Sequence, residues 1–466
     1  LNKTVKNSLA ASVLVLTLLC GNASILAHDE LGEISVDKGQ SSEVWNALPV
    51  LSGGKNVANL REAASVPLKE VRAGVKNSTA DVYAHKGFAY LGTHSANGGN
   101  GGVRVFDLKD PSNPVEVAVF AHNDVPGTWH EKVIVKSINT KDFHGDIAVV
   151  SVQQVNKANP DSVGGFLLYD VTDPYHPKKL GFWKLDKRVT GTHELYLTMQ
   201  GNRALVLAAN PYADYYTHGE ERDFQIVDVT NPSNPTTIYQ FDPRVLPEVQ
   251  EDFNGYHWNA PDGKVRPTFN HSTMVDETGT TAFVSYWDLG TLIFDIRNPE
   301  QPVLLGRTEF APHQQGSAHS SALAKGGNIL IETREIYVPI KDGYEEAYGY
   351  TRIFDIKDKS HPKLLSEFKT DLTTAIPTDP NQRNTFARTV HDPKVQGNTL
   401  YLSHYAGGVR VVDITDPANP TEIGRYVPNL TNFWGVFVDR NYILASNMPT
   451  NEHGGLKVLL KNNGDW

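Results

Sequence analysis

Cysteine is almost missing from this 466-residue chain; the single one is Cys20. That excludes a disulfide scaffold and any metal site built from thiolates. Basic charge is also short. Forty-three Lys and Arg stand against 53 Asp and Glu, a formal net charge of −10. A nucleic acid needs clustered Lys and Arg to neutralise its phosphates, so it is excluded as a partner. After the N-terminus no apolar run is long enough to cross a bilayer, and no transmembrane segment is expected. Nor is any residue class extreme: 39% hydrophobic and 21% charged residues, with 38 Gly and 27 Pro, exclude disorder, collagen and coiled coil.

The first 27 residues carry an address. Lys3 and Lys6 precede an apolar run from Leu9 to Leu19, and small residues lead to Ile25-Leu26-Ala27. This is the three-part pattern of a secretory signal peptide, so the protein is expected to be exported, to a periplasm or the exterior. Cys20 is followed by Gly21, but Leu19 stands where a lipoprotein signal needs a small residue. Cys20 is therefore read as part of the apolar region and not as a lipid anchor. Residues 28–56 are polar without a clear period and read as a leader or linker.

From residue 57 the chain repeats itself. The segments GVRVFDLKDPSNPVEVAVF (102–120), GFLLYDVTDPYHPKKLGFW (165–183) and DFQIVDVTNPSNPTTIYQF (223–241) are followed by GTLIFDIRNPEQPVLLGRTEF (290–310), YTRIFDIKDKSHPKLLSEF (350–368) and GVRVVDITDPANPTEIGRY (408–426). Their shared Asp residues are Asp107, Asp170, Asp228, Asp295, Asp355 and Asp413, spaced 58 to 67 residues apart. Each unit is a β-branched and aromatic run, an Asp/Asn-Pro turn and a second alternating run, preceded by a hairpin signal such as VQGNTLYL (395–402). Four short strands per unit, repeated several times, make propeller blades. A partial seventh unit, Phe433 to Leu460, stops before its Asp and turn, while residues 57–67 read as a last strand with no unit of its own. The expected fold is an all-β, seven-bladed β-propeller over residues 57–466, closed by this N-terminal strand joining the C-terminal blade, which leaves no bare sheet edge at the join.

These motifs resemble the LVIVD-repeat family, whose repeat is a Leu-Val-Ile-Val-Asp-like strand followed by Asp/Asn-Pro-x-x-Pro. The resemblance covers about residues 80–460. Two places depart from it: Lys359 replaces the first Pro of the fifth copy, and the seventh copy lacks the Asp and the turn. The family implies a secreted or surface β-propeller. It implies no reaction, because a fold does not set a function.

Loop lengths point to one face. The connections 242–270 and 369–390 between units, and 154–164, 210–222 and 335–349 inside units, are long where their counterparts are short. In a propeller both loop classes share one face, which marks it as the binding face. At that face strand starts carry His130, His193, His271, His319 and His391, and strand ends add His94, Trp287, Asp288, Arg334 and His404, with Trp434 from the seventh unit. Three readings stand together. Each His bonds a neighbouring blade, a structural role that the repeat has multiplied. Or several imidazoles converge on one transition-metal ion (Zn, Cu, Fe or Ni), giving a metalloprotein, an oxidase or a hydrolase. Or the channel is simply polar and takes a ligand. On the first and third readings the protein binds a partner protein, a glycan or a small molecule at its loop-rich face. Glu131, Glu194 and Asp392 follow the His residues and are expected to orient an imidazole from the adjacent blade. The recurrent Asp residues are expected to serve the turns. Tyr212, Tyr215, Tyr216 and Trp258 are expected to pack their loops down.

Overall fold

The computed structural model describes residues 56–70, 78–94, 101–154, 159–261, 263–383, 388–428, 431–448 and 454–462. The expected signal peptide, Cys20, all but the end of the 28–56 leader and most of the Gly-rich loop 95–102 lie outside them.

The described chain is all-β, and its sheets are antiparallel. Five sheets have four strands, two have five, and a small one has three. The larger seven follow the sequence repeats, spanning 78–120, 128–184, 194–240, 270–307, 318–368, 393–427 and 433–461. Val, Ile, Leu and Phe alternate along the strands, and in the first six of these sheets the third strand ends on the repeat Asp. That Asp accepts the backbone N–H two residues on, from Lys109, Thr172, Thr230, Arg297, Lys357 and Thr415 in turn. The six carboxylates are therefore turn formers, as expected.

The core lies between sheets. Leu205, Leu207, Phe224 and Ile226 pack on Ala282, Val284, Leu292 and Phe294 of the next sheet. The same occurs between the last sheet and the first, where Leu444, Leu456 and Val458 meet Val82, Ala89, Leu91 and Phe106. The first strands also neighbour one another in succession: Ser78–His85 lies beside Val133–Asn139, then come Glu194–Gln200, Asn270–Val275, Ala318–Ala324, Pro393–Gln396 and Phe433–Asp439, and the last lies beside the first.

The N-terminal stretch read as one strand is two. Leu60–Pro67 pairs antiparallel with Gly455–Lys461 as the fourth strand of the last sheet. Asn56–Ala58 instead pairs with Thr421–Val427 of the sheet before it. Between them Asn59 has φ 59°. Asn tolerates this left-handed conformation better than most residues, and it turns the chain from one sheet to the next. The long connection after the third sheet holds the three-stranded sheet Val249–Asp252, Gly255–Asn259 and Val265–Pro267. Among the described residues no helix is long and apolar enough to cross a membrane.

Candidate metal centre

The site begins with a repeated irregularity in pairing. Asn270 faces Tyr286 and Ser272 faces Ser285, so His271 is an extra residue. Similar register shifts lie between Ala318 and Ser321, between Thr79 and Val82, and between Phe433 and Val436. Such a bulge re-aims the side chain it carries. A hydrogen bond fixes the alignment. The N–H of Lys132, Ser320, Asp392 and Gly435 each donates to a second-strand hydroxyl, from Ser151, Thr333, Ser403 and Ser446. The residues just before these donors are Glu131, His319, His391 and Trp434.

This alignment corrects one of the five candidates. In the second sheet the position equivalent to the other histidines holds Glu131, and His130 sits one residue earlier. The His130 ring bonds the Ser151 carbonyl at 2.9 Å, and its backbone bridges to Thr93 of the preceding sheet. Burial pushes its pKa down, which favours the neutral ring. His130 has the structural role, and the extra residue in its sheet is why it does not align with the rest.

The other four histidines converge. Going round, Trp434 Nε1 donates to Glu131 Oε1 at 3.1 Å, and Glu131 Oε2 lies 2.6 Å from His193 Nδ1. His193 Nε2 lies 2.9 Å from His271 Nε2. The rings of His271 and His319 are 3.9 Å apart, those of His319 and His391 4.3 Å, and those of His391 and Trp434 5.0 Å. Each ring is also held from behind. His271 Nδ1 donates to the His319 carbonyl at 3.1 Å, and His391 Nδ1 to the Trp434 carbonyl at 2.6 Å. His319 Nδ1 pairs with Ser320 Oγ at 2.7 Å, and His193 Nδ1 also reaches Gln153 Oε1 at 2.9 Å. All four histidines and Glu131 are buried. Glu131 thus lies against a histidine of the adjacent sheet, whereas Glu194 and Asp392, expected to do the same, pair with Lys132 and Lys394.

A carboxylate joins from the end of a second strand. Glu335 Oε2 lies 3.7 Å from His319 Nε2, and donor atoms of His271, His319 and Glu335 fall within 4.8 Å of one another. The Tyr405 hydroxyl donates to Glu335 Oε1. The Trp287 ring is 5.4 Å from His271, and that of Tyr405 is 4.8 Å from His391. His94 packs at 4.5 Å from Trp129 and 5.1 Å from Trp434.

Of the remaining candidates, His94, Trp287 and Trp434 therefore belong to this cluster, but Arg334 and His404 do not. Side chains alternate along a strand, and those two point the other way. Arg334 Nε donates to the Gly316 carbonyl and its Nη1 to Glu345, under the rings of Phe310 and Tyr350. His404 is held well below the ordinary His range by burial and by the nearby charge of Arg410. The next residues, Glu335 and Tyr405, are the ones that reach the site. Asp288 lies 3.9 Å from Arg266, outside the histidine group. Tyr212 packs on Phe269 at 4.5 Å and Tyr215 on Tyr216 at 5.4 Å, in agreement with a packing role.

Beside the imidazoles is a buried ionic layer. Lys132 Nζ lies 2.6 Å from Asp81 Oδ2 and 3.0 Å from Glu194 Oε2, and Lys394 pairs with Asp392. Burial opposes the charge of Lys132, yet Asp81, Glu194 and Asp392 hold its pKa well above the usual range. Burial pushes Glu194 up to about 8; Lys132 opposes this, and the neighbouring carboxylates add to it.

Fold and site together define an all-β repeat protein with a buried polyhistidine cluster where its first strands meet. The LVIVD repeat model matches residues 219–242 and 387–427, so the chain carries LVIVD repeats, as the motif reading implied. A search of curated proteins finds no match. Among solved structures, Raptor of Chaetomium thermophilum is similar over 87% of this chain and 30% of its own, with a TM-score of 0.51 and 12% identity. At that identity the likeness is one of fold alone. The computationally designed Ika8 protein matches over 86% of this chain and 99% of its own, with a TM-score of 0.47 and 11% identity.

Proposed function

We propose that residues 57–466 form a seven-bladed propeller closed by the N-terminal strand, exported behind a signal peptide at 1–27 and a leader at 28–56, and that it is a metalloprotein with a transition-metal ion at its axis. The unbroken succession of neighbouring first strands and the pairing of Leu60–Pro67 with Gly455–Lys461 support the closed ring.

One observation carries the metal reading. A carbonyl or carboxylate oxygen only accepts, so His271 carries a proton on Nδ1, facing the His319 carbonyl, and His193 carries one on Nδ1, facing Gln153 Oε1 and Glu131. The two rings turn Nε2 to Nε2 at 2.9 Å, where a shared cation, a proton or a metal ion, satisfies both. A metal ion reached by His271, His319 and Glu335, whose donor atoms lie within 4.8 Å of one another, would be such a cation. Imidazoles whose second nitrogen is tied to a carbonyl or carboxylate are the usual form of metal-binding His. Charge points the same way. Among the described residues Asp81, Glu131, Glu335 and Asp392 are buried near Lys132 and Lys394, and a divalent ion would offset negative charge among them.

The test is elemental analysis of the exported protein beside a variant with His193, His271 and His319 changed to Ala. Near-stoichiometric Zn, Cu, Fe or Ni, lost in the variant, supports the reading. No metal in either after supplementation rejects it and leaves a binding propeller. That second reading, a partner at the loop-rich face, is favoured by the three-stranded insert at 249–267, which presents Phe253 at 89% exposure.

A further inference from the structure

An ion at this cluster finds three protein donors. Donor atoms of His271, His319 and Glu335 lie within 4.8 Å of one another, and among the described residues no further His, Asp or Glu joins them. His193 Nε2 lies 2.9 Å from His271 Nε2 but does not enter that group. Two imidazoles and one carboxylate do not complete the coordination of a transition-metal ion. A structural ion is closed by four protein donors, whereas an ion held by three keeps a position for water or substrate. Two His with one carboxylate is a set in which such positions stay open.

Glu335 is held so that it fills one position and not two. The Tyr405 hydroxyl donates to Oε1, and Oε2 lies 3.7 Å from His319 Nε2. A carboxylate with one oxygen so engaged meets the ion with the other. Tyr405 has φ 47°, a left-handed conformation unfavourable for a bulky side chain and usually kept where the surroundings demand it.

The way in is covered. His271, His319 and Glu335 are each 0% exposed, so a ligand reaches the ion only past a side chain. Trp287 lies against both imidazoles, its ring 5.4 Å from that of His271 and 6.2 Å from that of His319. The same ring is stacked on Phe269 at 5.1 Å, and Phe269 packs on Tyr212 at 4.5 Å. Trp287 follows the strand Thr281–Tyr286, and Tyr212 belongs to the long connection 210–222, so the cover is backed by one of the insertions. A close-packed ring supported from behind yields by small side-chain motions and not by swinging away. It passes a small molecule and stops a bulky one.

We propose that the ion is an open centre, held by His271, His319 and Glu335, whose remaining coordination takes a small oxygen- or nitrogen-donor ligand of the size of water or azide, and that Trp287 sets this size limit. The proposal rests on the metal reading above.

The experiment uses the full chain loaded with Co(II), whose absorption bands report a change of ligand. Azide and pyridine, both nitrogen donors, are the small and the bulky probe. In the wild type azide is expected to shift the bands and pyridine to leave them. Trp287→Ala is expected to take up Co(II) as the wild type does, because Trp287 gives the ion no bond, and to bind pyridine at least about 10-fold more tightly. Trp287→Leu keeps an apolar side chain against Phe269; it is expected to act in the same direction and serves where the alanine variant does not fold. Bands that azide does not shift mean that a further protein donor fills the position, which overturns the open centre while leaving the metal reading intact. A pyridine shift in the wild type, or none in either variant, overturns the size limit at Trp287. Failure of the wild type to take up Co(II) or any other metal overturns both readings.

Discussion

His193 and His271 face each other Nε2 to Nε2 at 2.9 Å, and each has its Nδ1 committed to an acceptor on the far side of the ring. His193 Nδ1 lies 2.9 Å from Gln153 Oε1 and 2.6 Å from a carboxylate of another sheet, Glu131, which also receives the indole N–H of Trp434 at 3.1 Å. Replacing that carboxylate tests how much of the imidazole arrangement it maintains. In Glu131→Gln the amide has one acceptor for two donors and carries no charge to favour a nearby cation. On the proposed metal reading, affinity is expected to fall about 10- to 100-fold, the usual effect of losing an outer partner of a ligating histidine. Competition with a calibrated chelator measures it, and affinity equal to the wild type would show that Glu131 is only a packing residue.

Lys132 is the counter-charge of the ionic layer. Its ammonium lies 2.6 Å from Asp81 and 3.0 Å from Glu194, and all three residues are buried. Lys132→Met leaves two buried carboxylates facing each other without a cation. Breaking a buried ion pair from one side costs about 3–5 kcal/mol, and denaturant unfolding is expected to show a loss of that size. Adding Glu194→Gln to Lys132→Met should recover part of it, because one of the stranded charges is then gone. A double variant no more stable than the single would argue that Lys132 acts through its packing and not its charge.

What the sequence disclosed follows from what repeats in it. The turn Asp residues and the four strands per unit recur with the same neighbours, so they could be read directly. His193, His271, His319 and His391 were visible because they recur at one place relative to the hairpins. Glu131 was not, because the second sheet places His130 one residue ahead of the position that Lys132 and its Ser151 hydroxyl define. Comparing residue types made His130 the match; only the pairing shows that Glu131 occupies the place. Glu335 and Tyr405 were missed for a related reason. Arg334 and His404 drew attention as chemically richer residues at the strand ends, but alternation sends them away from the cluster. Aligning Ser285-Tyr286-Trp287 with Thr333-Arg334-Glu335 and Ser403-His404-Tyr405 would have put Glu335 and Tyr405 in register with Trp287.

Acid stability has a local source away from the cluster. Asp146 accepts from Lys86 at 2.7 Å, His85 lies 3.0 Å away, and Ser137 also bonds it. Burial alone would raise its pKa, but these partners outweigh that and lower it. A carboxylate lowered in the folded state adds stability above its unfolded pKa, about 4, and that stability is lost as pH falls through the folded value. Asp146→Asn is therefore expected to be less stable than the wild type at pH 7 and to lose less stability between neutral pH and about pH 3. Melting curves across that range check it. Parallel curves for the two proteins would mean that the Asp146 contacts contribute nothing in solution.

The N-terminal strand offers the most direct test of the proposed ring closure. Leu60–Pro67 supplies the fourth strand of a sheet whose other three come from the opposite end of the chain. Leu60 packs with Tyr401, Val409, Ile443 and Leu459, joining two sheets in one cluster. Tyr426 and Lys457 both bond Glu62 on the same strand. Deleting residues 56–67 removes these contacts and bares the edge of Gly455–Lys461, whose unpaired N–H and carbonyl groups are a template for another chain. The deletion is expected to unfold at lower denaturant and to run as dimers or larger species in size-exclusion chromatography. Adding back a synthetic 56–67 peptide should restore the monomer, since the edge it pairs with is otherwise intact. A deletion variant that stays monomeric and as stable as the full chain would mean that the strand does not hold the two ends together.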